Sequence, residues 1–223
     1  MLWVYLSFKT RGKNMITENI FFIMNIIGLL AFAVVGALKG IKKGLDLLGI
    51  IVLGIMTALG GGITRDLLVN TIPYALRSPN DMGVALIGVW CAIVIFKVFN
   101  EDVSNKYIIQ IPDAVGLSAF TTTGAMIAYN FDVSFFGIII LATLTGVGGG
   151  IISDILLQKT PSALTEDFYA SCSIIGAIAF YLAILSNLSL EMSAVICSIV
   201  VLMIRIVAIL CKWSLPKFYS EQK

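Results

Sequence analysis

The chain has 223 residues, 59% of them hydrophobic and 13% charged, with a mean hydropathy of +0.99. Soluble domains are about 45–50% apolar and about 25% charged, so this composition describes a polytopic membrane protein with no room for a large soluble domain. A net charge of +2 gives no reason to expect a nucleic-acid partner, and the absence of histidine excludes imidazole metal sites, Ser-His-Asp triads and histidine proton relays.

In chain order, the first stretch, MLWVYLSFKTRGKN, places its basic residues after its short apolar run, the reverse of a signal peptide. Residues 1–18 are expected to form a tail, with Met15 as an alternative start. A helix crossing about 30 Å of hydrocarbon needs roughly 20 apolar residues. Seven runs between charge clusters meet that need: Asn19–Leu38, Leu45–Ile72, Met82–Phe99, Asp113–Tyr129, Ser134–Leu157, Asp167–Asn187 and Met192–Cys211. The runs are continuous rather than alternating, which excludes a strand barrel and predicts an all-α membrane protein of seven transmembrane helices. The connections are short: KGIKKG at 39–44, PYALRSPND at 73–81 and NEDVSNK at 100–106. The four cysteines, Cys91, Cys172, Cys197 and Cys211, lie in apolar runs without C-x-x-C spacing and read as small hydrophobes. No cofactor is expected.

Seven spans put the termini on opposite sides. With Arg65 and Arg205 left aside as lying deep in their spans, nine Lys or Arg fall on the C-terminal side and four on the N-terminal side. The excess predicts a cytoplasmic C-terminus and an external N-terminus.

A shift of 88 residues aligns 28–76 with 116–164 without a gap, giving 20 identities in 49 columns. The matches include Gly36 with Gly124, Thr57 with Thr145, Asp66 with Asp154 and Pro73 with Pro161. Shared apolar composition does not align glycines, acids and prolines together, so the chain contains a duplication. Each copy holds three spans, so the second enters the membrane from the opposite side. The expected organisation is a first repeat over 19–106, a second, inverted repeat over 107–190, a seventh helix at 191–212 and a tail at 213–223. Such 3+3 inverted repeats place a site near the bilayer midplane.

The duplicated segments TALGGGITRDLL and TGVGGGIISDIL carry the chemistry. Gly60, Gly61, Gly62 and Gly148, Gly149, Gly150 fall near the centres of their spans. Each glycine costs about 1 kcal/mol against alanine inside a helix, so three together point to a kink or break exposing backbone to a polar path. Close helix packing is the competing reading. Asp66 and Asp154 follow about one turn later, where a carboxylate needs a partner, a cap or a wet cavity. Adjacent helical residues diverge by about 100°, so Asp66 is expected to meet a group other than Arg65. The hydroxyls of Thr57, Thr64, Thr145, Ser153 and Thr122, the last within TTTG, are hard oxygen ligands suited to an alkali cation. Arg205, alone in the seventh span, is expected to snorkel or to pair with a carboxylate.

With these motifs the chain resembles the prokaryotic branch of the trimeric intracellular cation (TRIC) channel family, and the related bacterial family of two glycine-transporter-like domains. The resemblance covers about residues 19–212, with GALKGIKKGLDLLGIIVLGIMTALGGGITRDLL matching the first repeat and GVGGGIISDILLQKTP the second. It implies seven helices, a homotrimer in the lipid bilayer, and in each protomer an hourglass pore that passes K+ and Na+ where helices 2 and 5 bend at the glycines. Animal members carry a Lys-Glu-Val motif tied to phosphoinositide binding; here the corresponding TTTGAMIAY has no lysine. The expected function is a monovalent cation channel. The alternatives are a secondary transporter of a small zwitterion such as glycine and, only if Asp66 and Asp154 face each other, an intramembrane aspartyl enzyme.

Overall fold

The computed structural model describes residues 15–77, 79–98, 106–165 and 168–213. Among these residues every regular element is a helix: α1 Met15–Lys43, α2 Leu47–Leu68, α3 Tyr74–Arg77, α4 Pro79–Val98, α5 Tyr107–Asn130, α6 Phe135–Leu156, α7 Ser162–Thr165, α8 Ala170–Leu185 and α9 Leu190–Cys211. Two of these, α3 and α7, are single turns of four residues. Five are long and apolar enough to cross a membrane: Thr17–Lys43 within α1, together with α2, α4, α6 and α9. The shorter α8 is also apolar.

The boundaries depart from the sequence reading in several places. α1 already begins at Met15, inside the expected 1–18 tail, and the expected 73–81 connection holds α3 and the start of α4. The expected connection at 39–44 is helical as far as Lys43 and ends at Gly44, whose φ of +77° stops the helix. Lys42 and Lys43 in the last turn complement the negative end of the α1 dipole, which favours extending it. The fourth long helix starts at Tyr107 rather than Asp113, so Pro112 lies inside it. Proline that early removes only one intrahelical bond. The most N-terminal residues of the expected tail, 1–14, and the C-terminal 214–223 lie outside the described residues, as do parts of the 100–106 connection.

Helix α5 is the centre of the bundle, buried almost continuously from Asp113 to Ala128. It is surrounded by protein, so it needs no apolar exterior and carries three consecutive threonines. Around it the outward faces of the other helices are large and apolar: Leu86, Ile87 and Trp90 on α4, Phe136 and Ile140 on α6, and Ile199 and Met203 on α9 are all exposed. A water-soluble protein would bury these side chains; a lipid-facing one has no reason to.

Residues 88 apart occupy matching positions. Asp46 caps α2 by accepting from Gly49 N, and Ser134 caps α6 by accepting from Gly137 N. Phe32 and Phe120 pack edge to face with ring centroids 5.3 Å apart. Each ring also lies over the other's glycine: a Cβ on Gly28 would meet Phe120 at 2.7 Å, and one on Gly116 would meet Phe32 at 2.3 Å.

Candidate functional site

The glycine triplets do not break their helices. Both α2 and α6 are continuous from end to end, against the expectation of interrupted backbone. The glycines instead let the two helices cross at backbone distance. A Cβ on Gly61 would stand 2.2 Å from Thr145 O, and one on Gly149 would stand 2.0 Å from Thr57 O. Gly148 and Gly61 also face each other, with a Cβ on Gly148 reaching 3.2 Å from Gly61 Cα. The loss of helix propensity is offset by close packing of helix on helix, as in small-residue membrane interfaces.

The threonines are held by their own helices. Thr57 Oγ1 donates to Leu53 O at 2.6 Å and Thr145 Oγ1 to Leu141 O at 2.6 Å, while Thr64 Oγ1 donates to Gly60 O at 2.9 Å. Thr122 Oγ1 donates to Ser118 O at 2.8 Å and is fully buried. Such back-bonding satisfies a hydroxyl in an apolar core. Ser153 Oγ is buried with no hydrogen-bond partner among the described residues.

Asp66 and Asp154 are brought to opposite ends of the bundle, not together, which removes the aspartyl-pair geometry. Their environments match in one half and differ in the other. Asp66 Oδ2 accepts from Tyr74 N at 2.8 Å, and Asp154 Oδ2 accepts from Ser162 N at 2.8 Å. Each carboxylate therefore caps the single-turn helix that follows it, α3 or α7. The other oxygen of each carboxylate meets a cation. Lys39 Nζ, from α1, lies 2.8 Å from Asp154 Oδ1. Asp66 Oδ1 accepts from Arg65 Nε at 2.9 Å and lies 2.9 Å from Arg65 Nη2. The expectation that Arg65 and Asp66 would not meet is thus corrected: their Cβ directions diverge, but the arginine side chain is long enough to curl back along the helix.

Among the described residues, cavities at both ends of the bundle mark where polar space remains. At the Lys39 end a cavity of about 520 Å3 is lined by Lys39, Lys42, Lys106, Asp154, Lys159 and Arg205, with Gln110, Ser162, Lys212 and Trp213 among the rest. A neck of about 30 Å3 lined by Lys39, Gln110, Asp113, Ser162 and Tyr169 reaches Gly150. At the Arg65 end a pocket of about 10 Å3 lies between Asn25, Gly62, Arg65, Asp66, Tyr74 and Asp81. Asn25 Nδ2 donates to Asp81 Oδ1 there at 3.2 Å. Asn25 and Lys39 are 14 residues apart on α1, so the two ends are separated by about 21 Å along the helix, with the glycine crossing between them.

Sequence reading missed several of these groups. The sequence pattern alone puts Lys39 in a connection and gives Asp113 no role beyond starting a helix. In the structure Tyr169 Oη donates to Asp113 Oδ1 at 3.0 Å, and Arg205 lies 3.9 Å from Asp113 Oδ2 with its guanidinium 4.5 Å from the Tyr169 ring centroid. Arg205 is buried, so it pairs rather than snorkels. Charged residues inside otherwise apolar spans were the available signal, and Asp113 carried it.

An all-helical membrane bundle with a glycine crossing at its middle and a carboxylate at each end defines the class. A family model described as Glycine transporter matches the chain twice, over residues 22–97 and 110–184, two starts that are 88 residues apart. The UPF0126 inner membrane protein YadS of Escherichia coli K12 is 33% identical over 201 residues, covering 89% of this chain and 96% of that protein. A UPF0126 membrane protein of Deinococcus radiodurans is 37% identical over 162 residues, 71% of this chain and 74% of that one. Among solved structures, a TRIC cation channel superposes with a TM-score of 0.80 at 36% identity, covering 90% of this chain and 98% of the other. A prokaryotic TRIC channel gives 0.80 at 33% identity, with 89% and 100% covered. The chain belongs to the Glycine transporter family and is a prokaryotic-type member of the TRIC family, whose fold it has.

Proposed function

We propose that this protein is a passive channel for monovalent cations, K+ and Na+, with a conduction path in each protomer along the seam between α2 and α6. The carrying observation is that cavities reach the triplet glycines from both ends, to Gly150 through the neck and to Gly62 at the Arg65 end, and that the carboxylate following each triplet lines the space on its side. The cation-channel relatives at 36% and 33% identity support the ion class. In this reading the structure is the closed state. Lys39 on Asp154 and Arg65 on Asp66 are tethered cations that a permeating ion replaces, and conduction requires α2 and α6 to bend apart at Gly60–Gly62 and Gly148–Gly150. Thr64 and Ser153, beside the acids, supply oxygen ligands, with Thr57, Thr145 and Thr122 supporting the path from behind.

The matched contacts of residues 88 apart support a 3+3 inverted repeat completed by α9 as seventh helix. The basic Lys39 end is the cytoplasmic one by the positive-inside rule, which puts the C-terminus inside and the N-terminus outside. The assembly is a homotrimer in the lipid bilayer, a reading supported by the trimeric cation channel of Rhodobacter sphaeroides, 27% identical with a TM-score of 0.78.

A second reading, transport of a small zwitterion such as glycine, is favoured by one observation. The wide cavity and its neck together present two carboxylates and two cations, Asp113 with Arg205 and Asp154 with Lys39, the two kinds of charge that the ends of an amino acid need. Proteoliposomes separate the readings. A channel gives K+ flux that does not saturate at millimolar concentration and no glycine uptake; saturable glycine uptake without K+ current selects the transporter.

A further inference from the structure

The two ends of the bundle carry the same polar seam with different charges. Asn25 and Asp113 stand 88 residues apart, and so do Asp81 and Tyr169. The bond from Asn25 Nδ2 to Asp81 Oδ1, at 3.2 Å, is therefore the counterpart of the bond from Tyr169 Oη to Asp113 Oδ1, at 3.0 Å. The contact is kept, but the carboxylate sits on opposite partners. At the Lys39 end both carboxylates face a cation: Asp154 has Lys39 at 2.8 Å, and Asp113 has Arg205 at 3.9 Å. The Arg65 end again holds two carboxylates, Asp66 and Asp81, with one cation between them. Arg65 directs Nε and Nη2 to Asp66 Oδ1, and Asp81 has no cation in salt-bridge range among the described residues. One negative charge is left uncompensated.

A helix start accepts an acid readily, but that preference does not account for the space behind Asp81. With Asn25, Tyr74, Arg65 and Asp66 it lines a pocket that reaches Gly62. Asp81 is only half-buried, so this pocket is open to the solution side. Arg65 is 4% exposed, and its Nη1 has no hydrogen-bond partner among the described residues. The same pocket thus holds an unmet donor and an unmatched carboxylate, and both suit a hydrated occupant. At about 10 Å3 the space is at the threshold for one water molecule. We propose that Asp81 is the specificity-determining residue of this mouth: its carboxylate gathers hydrated monovalent cations ahead of Asp66 and turns anions away. The role in conduction rests on the channel reading. A unit charge acting across about 7 Å of water raises the local concentration of a monovalent cation about two- to threefold and lowers that of an anion by the same factor. Tyr169, in the matching position, contributes no charge, so the selection is made at one end.

The potential at this mouth is measured first without reference to conduction. Ala75→Cys, on the pocket wall, is made in the full-length chain with the exposed Cys91 and Cys211 replaced by serine. In phosphatidylcholine nanodiscs in dilute KCl, its rates of reaction with a trimethylammonium and a sulfonate methanethiosulfonate are compared. The ratio of cationic to anionic rate is expected to fall about four- to ninefold on adding Asp81→Asn, the square of the single-charge factor. Asp81→Glu keeps the ratio, and concentrated KCl removes the difference by screening. Asp132→Asn, an exposed acid outside the pocket lining, changes it far less. An unchanged ratio with Asp81→Asn, or an equal fall with Asp132→Asn, overturns the proposal. In planar bilayers, Asp81→Asn is then expected to lower the unitary K+ current entering from the Arg65 end about two- to threefold in dilute KCl, with no change in concentrated KCl. Equal currents for wild type and Asp81→Asn in dilute KCl overturn its role in cation entry. A fallen rate ratio with a silent wild type leaves the cation-gathering mouth standing and rejects the channel reading.

Discussion

Gly61→Ala asks whether the triplets exist to bring two backbones together. The new Cβ would stand 2.2 Å from the Thr145 carbonyl oxygen and 3.5 Å from Gly149 N, both backbone atoms that no rotamer change can move. Restoring an ordinary contact of about 3.3 Å requires α2 and α6 to part by about 1 Å at their crossing. Overpacking of this kind costs about 1–3 kcal/mol, partly relieved by the better helix propensity of alanine, up to about 1 kcal/mol. Gly62→Ala is the internal control. One residue further on, its Cβ meets nothing nearer than Arg65 Nη2 at 3.7 Å, so it keeps the propensity gain without the clash. Thermal unfolding in detergent, followed by size-exclusion chromatography with fluorescence detection, is expected to rank Gly62→Ala at or above wild type and Gly61→Ala below it. Gly149→Ala, at 2.0 Å from Thr57 O, should match Gly61→Ala. Equal midpoints for Gly61→Ala and Gly62→Ala would refute the packing account of the triplets.

Lys39→Met leaves the Asp154 carboxylate buried without its cation and is expected to destabilise by the low end of about 3–5 kcal/mol, because Ser162 still donates from N and Oγ; adding Asp154→Asn recovers most of the loss in a double-mutant cycle. Thr122→Val removes a fully buried hydroxyl that donates to Ser118 O, so K+ current per channel should not change, and a changed unitary conductance would place this hydroxyl in the path. Cysteine placed at Lys43 is expected to be labelled by an impermeant thiol reagent only from the cytoplasmic side, and cysteine at Arg77 only from outside, in a background lacking Cys91 and Cys211; reversed labelling inverts the topology.

The fold was legible in this sequence because membrane burial is written residue by residue. Runs such as Leu190–Cys211 admit no other element, and the 88-residue offset makes the paired Asp66 and Asp154 visible in the sequence alone. Helix ends were less legible. α1 runs through Lys39–Lys43 because basic side chains at a helix C-terminus stabilise it, where charge clusters alone suggest a connection. The triplets were ambiguous in principle: a broken helix and a close crossing both call for glycine, and only the position of the facing helix decides. Lys39, Asp113, Tyr169 and Arg205 were not assembled into one site, since residues from four elements converge there without any local spacing. Lys39 also has no counterpart in the second repeat, where Ile127 stands 88 positions on, so the duplication itself hid it.

The central claim is that ions cross each protomer between α2 and α6. Its most direct measurement is single-channel recording of the purified full-length chain in a planar bilayer with K+ as the main cation, wild type beside Gly61→Leu and Asp154→Asn. Discrete K+ openings are predicted for the wild type, abolished by Gly61→Leu and altered in conductance or open probability by Asp154→Asn. A silent wild type, or identical openings in all three proteins, would contradict the account.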